Sequence, residues 1–191
     1  MITTKRNTLI QDSEEKFKKL KNIKERHLNC FKEYENIISN SEYKVMSKNS
    51  PMLGVFISDE NLIKYFSKKG MSLTSDAKKR DFLYYFDKKS RLLLSIMYNG
   101  NGGNRVLRWC FFYYYDDHTE IIQYSPEDGI IRQIATIEYQ DGVLDAFLES
   151  SDLSLGMSGY IEYLFNLKPN RVVKKIYGAY TESISELARL H

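Results

Sequence analysis

The residues that could do chemistry are few and scattered. Histidine occurs at His27, His118 and His191, and cysteine at Cys30 and Cys110. A zinc site needs Cys or His at short, repeated spacings. None occurs here, so no metal site is expected. Covalent catalysis needs a Cys or Ser held against a His. Cys110 sits inside the apolar run 109–115, where burial would leave it inert, and no Gly-x-Ser-x-Gly elbow is present. His118 follows Asp116 and Asp117, which suggests a carboxylate–histidine pair. A turn built of polar residues explains the same letters and is the reading adopted. Asn99-Gly100-Asn101-Gly102-Gly103-Asn104 suggests a phosphate loop, but such loops open directly into a helix. The residues that follow, 105–110, read as a strand, so the segment is expected to be a hairpin loop. No catalytic residue and no cofactor is expected, and the chain reads as a non-enzyme.

Charge is more informative. The net charge is only +3, yet residues 1–112 carry +10, residues 113–152 carry −9 and residues 153–191 carry +2. Ten acids fall in the middle segment against one base, Arg132. On a sheet those acids are expected to form a strongly negative surface or edge. The two cysteines read as reduced core residues. The opening MITTKRNTLIQDSEEKF has no apolar core of a signal peptide. The longest apolar run, about ten residues, falls short of a bilayer span. The expected location is therefore the cytoplasm, in soluble form. Tyr and Phe make up 25 of the 191 residues, which argues against disorder.

The elements that must position these groups follow from periodicity. Asp12 or Ser13 is placed to cap a helix whose apolar stripe is Phe17, Leu20, Ile23, His27, Phe31, Tyr34 and Ile38. His27 on that stripe reads as a satisfied histidine at the core's edge. The many lysines beside it read as a solvated face. Short strands are expected near 43–46 and 53–57, then a helix through Phe66 and a polar loop over 70–80. From Asp81 onward the period becomes two. Strands are expected at 82–87, 91–98, 106–115, 120–124, 130–139, 143–149, 158–166 and 171–177, separated by turns too short to join anything but antiparallel neighbours. Trp109, Phe111, Tyr113 and Tyr115 should share one face of their strand, with Cys110, Phe112 and Tyr114 on the other. Ser183 and Glu186 form a capping-box pattern, so residues 181–191 are expected to make a short final helix.

An internal repeat supports the hairpins. Phe86-Asp87-x-x-Ser90-Arg91-Leu92-Leu93 recurs as Tyr115-Asp116-x-x-Thr119-Glu120-Ile121-Ile122. Shorter and longer copies begin at Tyr139 and Phe165. The stretch Tyr114–Ile122 resembles the tyrosine–aspartate repeats of large bacterial surface toxins. Those repeats carry Gly-Arg in the turn, which Ser90-Arg91 approaches and Thr119-Glu120 does not. In size and texture the chain is also similar to the immunity proteins encoded beside polymorphic or contact-dependent toxins. That resemblance implies a small, non-catalytic cytoplasmic protein that covers a basic toxin, often a nuclease, with an acidic surface.

These readings combine into an α+β chain of one domain, 1–191: an N-terminal amphipathic helix within a helical or mixed part (1–70), an antiparallel meander (81–180) and a short C-terminal helix. The expected function is neutralisation of a cognate toxin through an acidic sheet surface. Asp116, Asp117, Glu120, Tyr124, Asp141 and Asp145 are the expected contact residues, because steering needs acids and anchoring needs aromatics. No membrane partner is expected. The alternative is a nucleic-acid-binding module that uses the basic N-terminal half.

Overall fold

The computed structural model describes residues 2–47, 82–99, 105–140, 143–150, 159–168, 171–178 and 182–188. The chain begins with helix α1 (Ile2–Arg26), a 3-10 turn (Cys30–Glu33) and helix α2 (Tyr34–Asn40). Ten strands follow: β1 (Tyr43–Ser47), β2 (Phe82–Phe86), β3 (Leu92–Tyr98), β4 (Val106–Tyr114), β5 (His118–Ser125), β6 (Ile130–Gln140), β7 (Val143–Ser150), β8 (Gly159–Lys168), β9 (Arg171–Gly178) and β10 (Glu182–Ala188). They form one sheet whose spatial order is the sequence order. Every neighbouring pair is antiparallel. The eight strands expected between 82 and 177 appear as β2 to β9, with ends within two residues of those read from the sequence. The expected strand at 53–57, the helix that follows it and the loop over 70–80 lie outside the described residues.

Two expectations are corrected. Asp12 and Ser13 lie inside α1 and do not begin it. A cap stabilises by about 1 kcal/mol, and no Gly or Pro in residues 2–11 stops the helix earlier. The expected C-terminal helix is strand β10, in register with β9 from Glu182↔Tyr177 to Ala188↔Arg171. A helix of that length is marginal on its own, whereas the open edge of β9 offers a complete ladder of backbone partners.

The helical stripe is also broken, at residues 27–29. The His27 N–H is shared between the Ile23 and Lys24 carbonyls, at 3.2 Å each, and the Cys30 N–H donates to the His27 carbonyl. Asn29 leaves helical geometry at φ −106°, ψ 16°. The break sets two rings of the next segment on the sheet: Phe31 against Tyr124 (5.7 Å between centroids) and Tyr34 against Trp109 (4.1 Å).

Each face of the sheet carries a buried apolar cluster. Leu20 and Ile23 of α1 pack with Leu94, Ile96, Phe111, Ile122 and Ile134 on one face. Phe86, Leu92, Cys110, Phe112, Ala135 and Ile137 cluster on the other. Strand β4 divides as expected, with Trp109, Phe111 and Tyr113 on the helix side and Cys110, Phe112 and Tyr114 opposite. Cys30 and Cys110 are both buried free thiols. Burial pushes the Cys30 thiol up to about 12 and raises that of Cys110, so neither is poised as a nucleophile. No helix among the described residues is long and apolar enough to cross a membrane.

The meander explains the repeat. One sequence repeat spans a down-and-up pair of strands, so its turns fall at the same end of the sheet. At the first turn, Asp87 Oδ1 accepts the N–H groups of Lys89 (2.8 Å) and Arg91 (2.9 Å), and Arg91 Nε donates to Oδ2 (2.8 Å). Ser90 there has φ +61°, the left-handed conformation that favours glycine. The Gly-Arg of the resembled repeat would suit this geometry.

Candidate functional site

The −9 segment and the basic N-terminus meet across the helix–sheet contact. Cations of α1 reach glutamates on three strands. Lys16 Nζ lies 2.6 Å from Glu162 on β8, and Lys19 pairs with Glu138 on β6. At the end of the helix, Arg26 Nη2 donates to Glu120 Oε1 on β5 (2.5 Å) and His27 Nε2 donates to Oε2 (2.7 Å). The register explains why acids face the helix. Glu120 lies opposite Thr136, Thr136 opposite Leu148 and Leu148 opposite Glu162, one row across the covered face.

Glu120 is the centre of this cluster and is 1% exposed. His118, two residues before it on the same face, lies with Nε2 3.3 Å from Glu120 Oε1 and Nδ1 2.6 Å from Asp117 Oδ1. Burial pushes the Glu120 carboxyl up, but the His27 hydrogen bond, the Arg26 charge and the His118 hydrogen bond outweigh it, leaving the group below the ordinary carboxylate range. His27 is 7% exposed and stacks on Tyr113 at 3.9 Å. It is the satisfied histidine read from the sequence, with a charged partner the sequence did not reveal. His118 begins β5 and has a carboxylate at each ring nitrogen, with the Tyr115 ring stacked at 4.5 Å.

A cleft of about 500 Å³ opens beside this cluster. Lys19 and Arg26 of α1 form one wall; Asp117, Glu120, Glu138, Tyr139 and Asp145 form the others. A general base needs a nitrogen or oxygen within reach of a substrate proton, and both nitrogens of His118 are engaged. The lining contains no Ser, Thr or Cys. Among the described residues, no group of three or more His, Cys, Asp or Glu is arranged to hold a metal ion.

No family model, curated protein or solved structure matches this chain. The geometry therefore carries the argument unaided.

The six expected contact residues separate. Asp117 and Asp145 line the cleft, and Asp116 is exposed in the turn beside it. Asp117 is 84% exposed, and the His118 hydrogen bond holds its carboxyl below the usual range. Glu120 also lines the cleft, but as a buried group already engaged, so its expected role as a surface contact is corrected. Tyr124 is corrected too: it is buried, with its ring between Phe31 and Trp109. Asp141 lies outside the described residues. The single negative surface expected from residues 113–152 is likewise broken up. Glu138 pairs with Lys19, Glu127 with Arg105 and Asp128 with Arg132, and Glu149 accepts from Gln133.

Sequence reasoning missed Arg26, Lys19 and Glu138 as parts of one cluster. The signal was present as the matched +10 and −9 segments. Opposite charges of that size in one chain point to each other as readily as to outside partners.

Proposed function

We propose that the chain is a non-catalytic protein-binding protein of the immunity type, which takes a basic toxin domain at the acidic end of the α1–β5–β6–β7 cleft. The observation that carries this reading is the composition of the cleft. Four carboxylates, Asp117, Glu120, Glu138 and Asp145, line it against two permanent cations, Lys19 and Arg26, and these cations are taken up by Glu138 and the buried Glu120, so the lining keeps a negative excess. Asp116 adds an exposed acid at the rim. A preformed negative patch speeds encounter with a basic partner and disfavours partners of the same sign. Tyr139 in the wall and exposed Tyr115 nearby supply aromatic contact area. The basic-helix alternative draws less support, because Lys16, Lys19 and Arg26 are directed onto glutamates of the sheet.

The test uses the full chain and a basic toxin domain encoded beside it. Reversing Asp116, Asp117 and Asp145 to Lys is expected to slow association by roughly tenfold or more at low salt, with less effect at high salt. The turn pair Asp116→Lys and Asp117→Lys alone, both exposed, should show most of the loss without disturbing the fold. Wild-type association rates in both variants would overturn the proposal.

A further inference from the structure

The geometry points to an acid-sensitive latch: Glu120 holds the end of α1 to the sheet, and protonating it releases α1 while the sheet persists. The inference does not depend on any partner. It rests on how many cations converge on one buried carboxylate. Arg26 and His27 reach it from the end of α1 at 2.5 and 2.7 Å, and His118 reaches it along β5 at 3.3 Å. The Tyr115 ring stacks on His118, and its hydroxyl is raised by burial and by the Glu120 charge.

With Glu120 ionised, these groups share a counterion. Once the carboxyl is neutral, Arg26 and His27 lose the charged acceptor they share. His27 cannot relax into water without moving, because it is 7% exposed and stacked on Tyr113. The nearest other acids are placed differently. Asp117 is bonded to His118 at the solvent-exposed turn, Glu138 is taken by Lys19, and Glu33 of the 3-10 turn is exposed to solvent. None replaces Glu120 at His27. Weakening the bonds that fix a buried donor is destabilising, and moving the helix end outward relieves it.

The strands have their own support. Their ladders and the opposite-face cluster around Phe86, Leu92, Cys110 and Phe112 do not involve α1. The release is therefore local, at a free energy below that of global unfolding. The position of the latch is fixed by the break at 27–29, which turns His27 into the sheet.

Hydrogen exchange followed by mass spectrometry on the full chain, at a series of pH values and corrected for intrinsic rates, tests this. Peptides covering residues 14–26 are expected to exchange roughly tenfold faster in acid, at a pH where those from β4, β5 and β6 remain protected. Glu120→Gln should give the same fast exchange at neutral pH and flatten its pH dependence. Simultaneous loss of protection in helix and strands of the wild-type chain would overturn the proposal, whether or not the variants fold. So would an unchanged pH profile in a folded Glu120→Gln.

Discussion

Two places in this chain pair a glutamate with an arginine, and they differ in everything but the residue types. At the end of α1, Glu120 is 1% exposed, accepts from Arg26 and His27, and joins segments 94 residues apart. At the far end of the sheet, Glu127 meets Arg105 with the two side chains 52% and 60% exposed. In water a pair of that kind gains little, because solvent and salt screen it. Under the helix the carboxylate and His27 are removed from solvent, while Arg26, 54% exposed, reaches in from the surface. The difference teaches that the charge asymmetry of the sequence is structural first. Much of the −9 segment holds the basic N-terminus or its own turns, and the exposed acids at the cleft are Asp116 and Asp117.

The strongest way to break this comparison is at Glu120. Glu120→Ala leaves His27 buried without its acceptor, and removing one partner of a buried pair costs about 3–5 kcal/mol. Urea denaturation at neutral pH should show a loss of that order. The double variant Glu120→Leu with His27→Phe replaces both partners by apolar groups, and should recover most of it. A loss below about 1 kcal/mol in Glu120→Ala would place the pair in the class of exposed pairs.

Asp87 lies between the two extremes. It is 18% exposed and gathers two backbone N–H groups and the Arg91 side chain in the β2–β3 turn. Burial pushes its carboxyl up, but the Arg91 backbone and side-chain hydrogen bonds pull it below the ordinary aspartate range. A carboxyl lowered in the folded state stabilises above its unfolded pKa, and that stabilisation is lost as pH falls through the folded value. Asp87→Asn should lose about 1–2 kcal/mol at pH 7. It should lose less at a pH below that lowered value, where the wild-type group is protonated too. Equal losses at both pH values in urea denaturation would remove the charge from this account.

The next effect has the opposite sign. Ser90 in that turn and Gly129 in the β5–β6 turn adopt nearly the same backbone, φ +61° and +68°. A left-handed residue with a side chain carries about 1–2 kcal/mol of strain, part of which glycine's greater freedom in the unfolded chain offsets. Ser90→Gly is expected to stabilise by about 0.5–1 kcal/mol, read as a raised denaturation midpoint. A lowered midpoint would mean that the Ser90 side chain makes a contact worth more than the strain.

The sheet was legible because its information is local. Alternation marked β2 to β9, and Asp87, Asp116 and the turn at 168–170 marked their connections. What failed was decided by partners distant in sequence. The helix break at 27–29 is set by Glu120, Tyr113 and Trp109 on strands far along the chain. Strand β10 is set by the free edge of β9, and its capping-box letters say nothing of that edge. Of the candidate residues, Asp117 and Asp145 do line the cleft and Asp116 is exposed beside it. Glu120 and Tyr124 were read as outward because alternation shows that residues share a face and does not say which face a helix covers.

The smallest expected effect closes the comparison from its exposed side. Arg105 bonds to Glu127 and draws its carboxyl below the ordinary range, with the charge of Arg105 adding to the effect. A lowered pKa at a solvated site nonetheless implies little net stabilisation, because two long side chains must be ordered to hold one geometry. Glu127→Gln should therefore leave the urea midpoint unchanged, at low salt as at high. The turn itself is held by other bonds: the Gly129 N–H to the Ser125 carbonyl, and Ser125 Oγ to Asp128. A clear destabilisation by Glu127→Gln, abolished by salt, would mean that exposed pairs also fasten this sheet. The contrast with Glu120 would then be one of degree.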